Sequence, residues 1–445
     1  MRVSQCALLL CVVAVSQAWS QAPSPENPPP GTRGNTANIP FIGKSDPQGN
    51  PVRLARSSGH VSNYDEAKVP PYTLPDPLVL ANGQRVTSAS QWTHERRPEI
   101  LKLFETEVYG RVPANAPRVT WEIAENEVDY RDGLGKLRRL KGRMGSAVDA
   151  PQMTLTVYSP SRATRPTPLL LALSFNFAAR PGNSPKAQNV AKRPAFDAIG
   201  EVLSRGWSYA SLAYSEIQPD RPGQWSQGVI GVTLQEGQTQ PAPDEWGTIS
   251  AWAWGLSRAI DFLETDKSIH PRQIAITGAS RLGKTALWAA AQDQRVAAVF
   301  SVVPGEMGAS LIRRDWGETL DDMAQNFGYQ FAGNLQKYVG RWETLPVDQH
   351  MLIALCAPRP VYVNGGISDQ WSDPHGEFLA LVGAGPVYRL LGKDDLGTTV
   401  LPSLDEPVAT GSLAFHYHSS GHTAVPADWK MFLDFAQRHI QSVSQ

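Results

Sequence analysis

The chain has 445 residues, with 41 Lys and Arg against 42 Asp and Glu and a formal net charge of −1. This even balance, with no basic run and no acidic tail, argues against nucleic acid as a partner, because binding phosphates takes a concentrated positive surface. The length is enough for one large α/β domain with a substantial core.

The N-terminus reads as a targeting segment. Arg2 precedes the apolar run Ala7 to Val15, and small residues follow at Ser16, Ala18, Ser20 and Ala22. That is the order of a secretory signal peptide over residues 1–20. The run is too short to cross a bilayer, which takes about 20 apolar residues, so a secreted or periplasmic protein without a membrane partner is expected. Cys6 and Cys11 leave with the signal. Cys356, between Leu355 and Ala357, then has no partner for a disulfide and reads as a buried core thiol.

Residues 21–60, rich in Pro, Ser, Asn and Gly, read as a flexible lead-in. One catalytic domain is expected over residues 61–445. A helix is expected from Trp92 to Tyr109, with apolar residues at Ile100, Leu103, Phe104 and Val108, ending at Gly110. Alternating stretches at Val119–Val128, Leu137–Met144 and Met153–Tyr158 predict antiparallel opening strands. Pro168 to Asn176 is a continuous apolar run, suited to a strand buried on both faces. A helix over 196–205 and a strand over 207–213 follow. The Gly-, Pro- and Gln-rich stretch 215–243 is too long for a simple connection and reads as an active-site insertion.

Trp246 to Glu264 reads as an amphipathic helix. Further strands are expected at 296–303, 360–365 and Val387–Leu391, and a closing helix at 429–440. Strands alternating with helices predict a mostly parallel sheet with helices on both faces and an antiparallel N-terminal edge, an α/β-hydrolase fold.

The chemistry centres on Ile274-Ala-Ile-Thr-Gly-Ala-Ser-Arg-Leu-Gly-Lys284. A β-branched run climbs to Gly278 and Ser280 and turns into an Ala-rich helix, the pattern of a nucleophile elbow. The second glycine, Gly283, comes one place later than in Gly-x-Ser-x-Gly. A serine needs a base, and the base needs an acid to orient it; on this fold both follow the serine in the order acid, then His. His350, His375, His416/His418 and His422 are the candidate bases. His422, in a small-residue loop before the last helix, is preferred and His416 comes next. Asp369, just past the strand 361–363, is the preferred acid. Asp373 is second, with N-capping of a helix at Pro374 as its other reading. Arg281 can either face the oxyanion of an attacked ester or pair with a structural carboxylate.

With these residues in place the chain resembles the bacterial glucuronoyl esterases, carbohydrate esterase family fifteen, from about Trp92 to the C-terminus. The resemblance rests on Arg97-Pro-Glu-Ile…Val-Tyr-Gly110, Gly278-Ala-Ser-Arg-Leu-Gly-Lys284, Arg313-Arg-Asp-Trp-Gly-Glu-Thr319, Asp369-Gln-Trp-Ser-Asp-Pro374 and Gly421-His-Thr423. It implies hydrolysis of the ester between 4-O-methyl-glucuronic acid on xylan and a lignin alcohol, by a monomer that needs no cofactor or metal. It also implies Ser280 as nucleophile, His422 as base, Asp369 as acid, Arg281 at the oxyanion, and Lys284, Glu318 and Trp371 on the sugar. Two departures stand out. Ala279 replaces a frequent cysteine, and Val303 occupies the position where many members carry a Glu acid, leaving Glu306 as an alternative acid. The rival readings are an acetyl or feruloyl xylan esterase, a peptidase on the same fold, and a catalytically silent carbohydrate-binding homologue.

Overall fold

The computed structural model describes residues 44–175 and 196–440; the expected signal peptide, Cys6 and Cys11 lie outside the described residues. Four two-residue strands come first: β1 (Lys44–Ser45), β2 (Pro51–Val52), β3 (Leu54–Ala55) and β4 (His60–Val61), paired as two small antiparallel ladders. Residues 44–60 therefore differ from the flexible lead-in that composition suggests. Ala55 is fully buried, and His60 Nε2 lies 2.8 Å from Asp315 Oδ1. A few distant anchors hold a stretch whose own composition carries no core.

The main sheet has nine strands in the order β13-β12-β11-β10-β8-β9-β7-β6-β5. β5 (Val119–Tyr130), β6 (Gly135–Met144) and β7 (Gln152–Pro160) form its antiparallel edge. β8 (Thr167–Ser174), β9 (Ser208–Ala213), β10 (Ile269–Ala279), β11 (Ala298–Val302), β12 (Val361–Gly366) and β13 (Leu413–His418) run parallel. Side chains alternate between two cores. Leu169, Leu171, Ile274, Ile276, Val361 and Val363 face one, while Leu170, Ala275, Phe300 and Tyr362 face the other. A strand buried on both faces needs apolar residues at every position, hence the unbroken run in β8.

The first helical stretch starts with α1 (Ala89–Gln91) and α2 (Arg97–Leu103), continues through π-turns to Val108, and stops at Gly110, whose φ is 88°. A Cβ at Gly110 would lie 2.2 Å from the Glu245 carbonyl oxygen, so only glycine permits this approach. Next come α3 (Ala198–Ser204), α4 (Tyr214–Ile217), α5 (Gly228–Thr233), α6 (Thr248–Leu263), α7 (Arg281–Gln292), α8 (Leu320–Phe327), α9 (Gln349–Cys356), α10 (Pro374–Leu390) and α11 (Pro426–Ile440). In α6 every residue from Thr248 to Leu256 is buried, so the expected amphipathic pattern holds only towards its C-terminal end. Cys356 closes α9 inside the core, and burial raises its thiol pKa.

One predicted strand is a helix. Val387–Leu391 belongs to α10 and its C-cap, with Pro386 inside the helix. The buried positions Glu377, Ala380, Leu381, Ala384, Val387 and Tyr388 recur at helical spacing. That stripe outweighs both the local β-propensity and the hydrogen bond that proline removes. The last strand is instead β13.

The 215–243 insertion contains the end of α4 and all of α5. Gln218 holds its base: its side chain accepts from Ile230 N (3.0 Å) and donates to the Gln224 carbonyl (3.1 Å), and its own carbonyl accepts from Trp252 Nε1 (2.8 Å). No helix among the described residues is long and apolar enough to cross a membrane.

Candidate active site

Ser280 sits between β10 and α7 with φ 58° and ψ −126°. A residue with a Cβ rarely adopts this left-handed backbone, and the strain is the mark of an elbow. Two glycines make room for it. A Cβ on Gly278 would lie 2.3 Å from the Leu282 carbonyl oxygen, and one on Gly283 would lie 2.9 Å from the Val302 carbonyl oxygen. The late second glycine thus serves the packing of α7's first turn against β11. Ser280 N donates to Val302 O at 2.8 Å and ties the turn to the same strand.

At the same carboxyl edge, His422 Nδ1 lies 2.6 Å from Asp369 Oδ2. A carboxylate only accepts, so Nδ1 is the donor; in the neutral imidazole this leaves the lone pair on Nε2. Asp369 follows β12 and His422 follows β13. The two loops touch because a Cβ on Gly366 would meet Gly421 O at 2.4 Å. Ile367 N to His418 O (3.0 Å) and Ser368 N to Ser420 O (3.2 Å) join them further. Ser372 Oγ reaches Nδ1 only at 3.4 Å.

The other candidate histidines are engaged elsewhere. Buried His416 pairs through Nδ1 with Asp428 Oδ1 at 2.7 Å. Asp428 also accepts from Tyr362 OH (3.2 Å), Asn364 Nδ2 (2.8 Å) and Val425 N (2.7 Å), which pins the end of the His422 loop to α11. His350 Nε2 bonds Pro75 O at 2.8 Å, and His375 Nδ1 lies 3.8 Å from Glu66 Oε2. Asp373 caps α10, accepting from Gly376 N at 2.9 Å, and pairs with Arg314.

Around the elbow, Arg281 forms an ion pair with Asp220 of the insertion and lies with Cζ 5.3 Å from the Phe327 ring centroid. Lys284 is buried, and its Nζ donates to Pro304 O at 2.6 Å. Burial lowers the pKa of its ammonium, and Glu318 and Glu306 partly offset that. Glu318 N donates to Trp371 O at 2.8 Å. Gly317, with φ 59°, allows this contact, because a Cβ there would lie 2.5 Å from Trp371 O. Burial raises the Glu318 carboxyl pKa and Lys284 draws it down. Trp371 is half-buried, with Arg53 Cζ 5.1 Å from its ring centroid. Lys284, in the first turn of α7, is thus near enough to Glu318 to feel its charge, and Glu318 is joined through its backbone to Trp371.

The motif around Arg313 serves as scaffold. Arg313 pairs with Asp348, and Arg314 bridges Asp373 and Glu66. Thr319 and Asp322 form a capping box at α8. Among the described residues, no group of three or more His, Cys, Asp or Glu is placed to hold a metal ion.

The family model described as "Glucuronyl esterase, fungi" matches residues 241–392. The carbohydrate esterase MZ0003 of an unknown prokaryotic organism is 38% identical over 405 residues, covering 85% of this chain and 92% of its own length. The glucuronoyl esterase from Solibacter usitatus superposes with a TM-score of 0.77 at 40% identity, over 84% of this chain and all of that one. The chain belongs to the glucuronoyl esterases, carbohydrate esterase family 15. A 4-O-methyl-glucuronoyl methylesterase from Phanerochaete carnosa is a more distant relative, 29% identical over 72% of this chain and 73% of its own.

Within this glucuronoyl esterase, Val303 has φ 37°, and its N–H is held by Asn364 Oδ1 at 3.0 Å. Glu306 turns into the interior, where its Oε1 has no hydrogen-bond partner, and Asp369 rather than Glu306 reaches His422. Burial raises the Glu306 pKa well above the ordinary carboxyl range, with Asp348 and Glu318 adding to the rise and Lys284 opposing it. The folded protein therefore keeps a proton that the unfolded chain releases above about pH 4.3. This group's contribution to stability is full below that pH and is lost as pH rises towards its folded pKa. Glu306→Gln removes the loss, so its melting temperature relative to wild type rises more at pH 8 than at pH 5 in thermal scans. A larger penalty at pH 8 than at pH 5 would instead mean an ionised Glu306 paired with Lys284.

The sequence reading missed Asp220, Ser372 and the Asp428 network. Asp220 lies in a loop with no motif. Asp428 carried only a helix-start signal.

Proposed function

We propose that this chain hydrolyses esters in which 4-O-methyl-glucuronic acid supplies the acyl group and a lignin-type alcohol the leaving group. The observation that carries this reading is the elbow, where one turn brings Arg281 and Lys284 beside Ser280 at the sheet edge that bears the His422–Asp369 pair. The family, and relatives known as glucuronoyl esterases and a 4-O-methyl-glucuronoyl methylesterase, support the glucuronate as acyl donor.

In this mechanism Ser280 Oγ attacks the ester carbonyl while His422 Nε2 takes its proton. Asp369 holds Nδ1–H and stabilises the imidazolium. Arg281 donates to the oxyanion of the tetrahedral intermediate. The alcohol leaves with the proton from His422, which gives the Ser280 ester. Water, deprotonated by His422, then attacks that ester, releasing the glucuronate and restoring Ser280–OH. Lys284 and Glu318 bind sugar hydroxyls and Trp371 covers part of the ring. A neutral ester needs no counter-charge to bind, so the hydroxyl contacts give the orientation. The protein is read as exported, through the signal peptide over residues 1–20, and as acting as a monomer on glucuronoxylan and lignin–carbohydrate esters.

Purified protein assayed on benzyl glucuronate, acetylated xylan and methyl ferulate tests the reading. Activity is expected on the first alone. Turnover confined to acetylated xylan or methyl ferulate would make the sugar the alcohol side and overturn it.

A further inference from the structure

The reaction turns a neutral ester into a carboxylate, which is ionised at neutral pH. An uncompensated guanidinium beside the nucleophile would bind that product more tightly than the substrate and slow its release. The guanidinium here is compensated. Asp220, from the insertion between β9 and α6, pairs with Arg281 Nη1. Its Oδ1 accepts from Tyr329 OH at 2.9 Å and from Gln330 Nε2 at 2.7 Å. The Asp220 side chain is 8% exposed and the Arg281 side chain 30%, so solvent screens the pair only in part. Asp220 is otherwise held by neutral donors from one segment, residues 329 and 330, and among the described residues Arg281 is the one cation within ion-pair distance of it. Phe327 closes a further side of the guanidinium. Gln218, two residues before Asp220, anchors the insertion to α5 and α6, so the carboxylate is delivered by a braced loop.

We propose that Asp220 is the counter-charge of the reaction centre: it holds Arg281 in place for the oxyanion and cancels enough of its charge for the carboxylate product to leave. The inference rests on the reading of Arg281 and of a glucuronate product given above. A loop that merely stabilised the fold would loosen product binding when damaged, whereas a counter-charge tightens it when removed. The two roles have opposite signs.

The test is the inhibition constant of free glucuronate against benzyl glucuronate hydrolysis, in wild type, Asp220→Asn, Arg281→Ala and the double variant. Asp220→Asn lowers that constant by about tenfold, as loss of one partly buried charge a few ångströms away requires. High salt weakens the tightened binding. Arg281→Ala alone raises the constant, because it leaves the Asp220 carboxylate facing the product without its cation, and adding Asp220→Asn to it lowers the constant again. An unchanged or raised constant in Asp220→Asn, or no rise in Arg281→Ala, overturns the proposal. Asp220→Ser, a smaller neutral replacement with a hydroxyl for Tyr329 and Gln330, serves as the second variant should asparagine unfold the insertion. Failure of the wild type to turn over benzyl glucuronate would overturn the underlying function, a result separate from either arm.

Discussion

Ser280→Ala lowers kcat for benzyl glucuronate by about a millionfold, the scale reached when a triad loses its nucleophile. The backbone at φ 58° already carries a Cβ, so alanine adds no strain and the elbow keeps its shape. The contacts assigned to the sugar stay in place, and glucuronate still binds. Progress curves at high enzyme concentration, with a melting curve as control, measure the loss. A drop of less than about tenfold would remove Ser280 from the chemistry and take the acyl-enzyme mechanism with it.

The second large effect is at Asp369. Asp369→Asn lowers kcat by about ten-thousandfold, the size associated with a histidine in the wrong tautomer. The side-chain amide donates where the carboxylate accepted across 2.6 Å. The imidazole proton then moves to Nε2, and the lone pair that should take the serine proton is lost. KM changes little, because no sugar contact is assigned to this side chain. Glu306→Gln loses far less, since its carboxyl is buried with a raised pKa and it is Asp369 that holds His422 Nδ1. Steady-state kinetics on both variants decides the matter. A larger loss in Glu306→Gln would move the acid to the earlier position.

The sheet was legible wherever a strand is buried on both faces, because β8 and β10 to β12 need apolar residues at consecutive positions. Val387–Leu391 was misread because its β-propensity is local, while the stripe that makes it helical begins ten residues upstream at Glu377. The order of β3 and β4 was not legible at all. It depends on His60 meeting Asp315 across 255 positions, which no window of sequence contains. The site shows the same division. Ser280, Asp369 and His422 could be named because each follows a strand end on a fold whose chain order is known. Arg281 pairs with a carboxylate and also stands beside the nucleophile. The partner itself, Asp220, came from a loop whose Gly, Pro and Gln content says only that it is long.

The same division explains the spare carboxyls. Asp373 and Glu306 stand close in sequence to the positions a search for an acid covers. Only packing separates the helix cap from the buried proton carrier and from the group that meets His422.

A crystal structure of Ser280→Ala with bound methyl 4-O-methyl-glucuronate decides whether the elbow presents the nucleophile and the sugar contacts to one ester. The ester carbonyl is expected above residue 280 with its oxygen towards Arg281. The ring lies against Trp371, and its hydroxyls are within hydrogen-bond distance of Lys284 and Glu318. A sugar bound with its carboxyl ester turned away from residue 280, or held elsewhere on the protein, would contradict it.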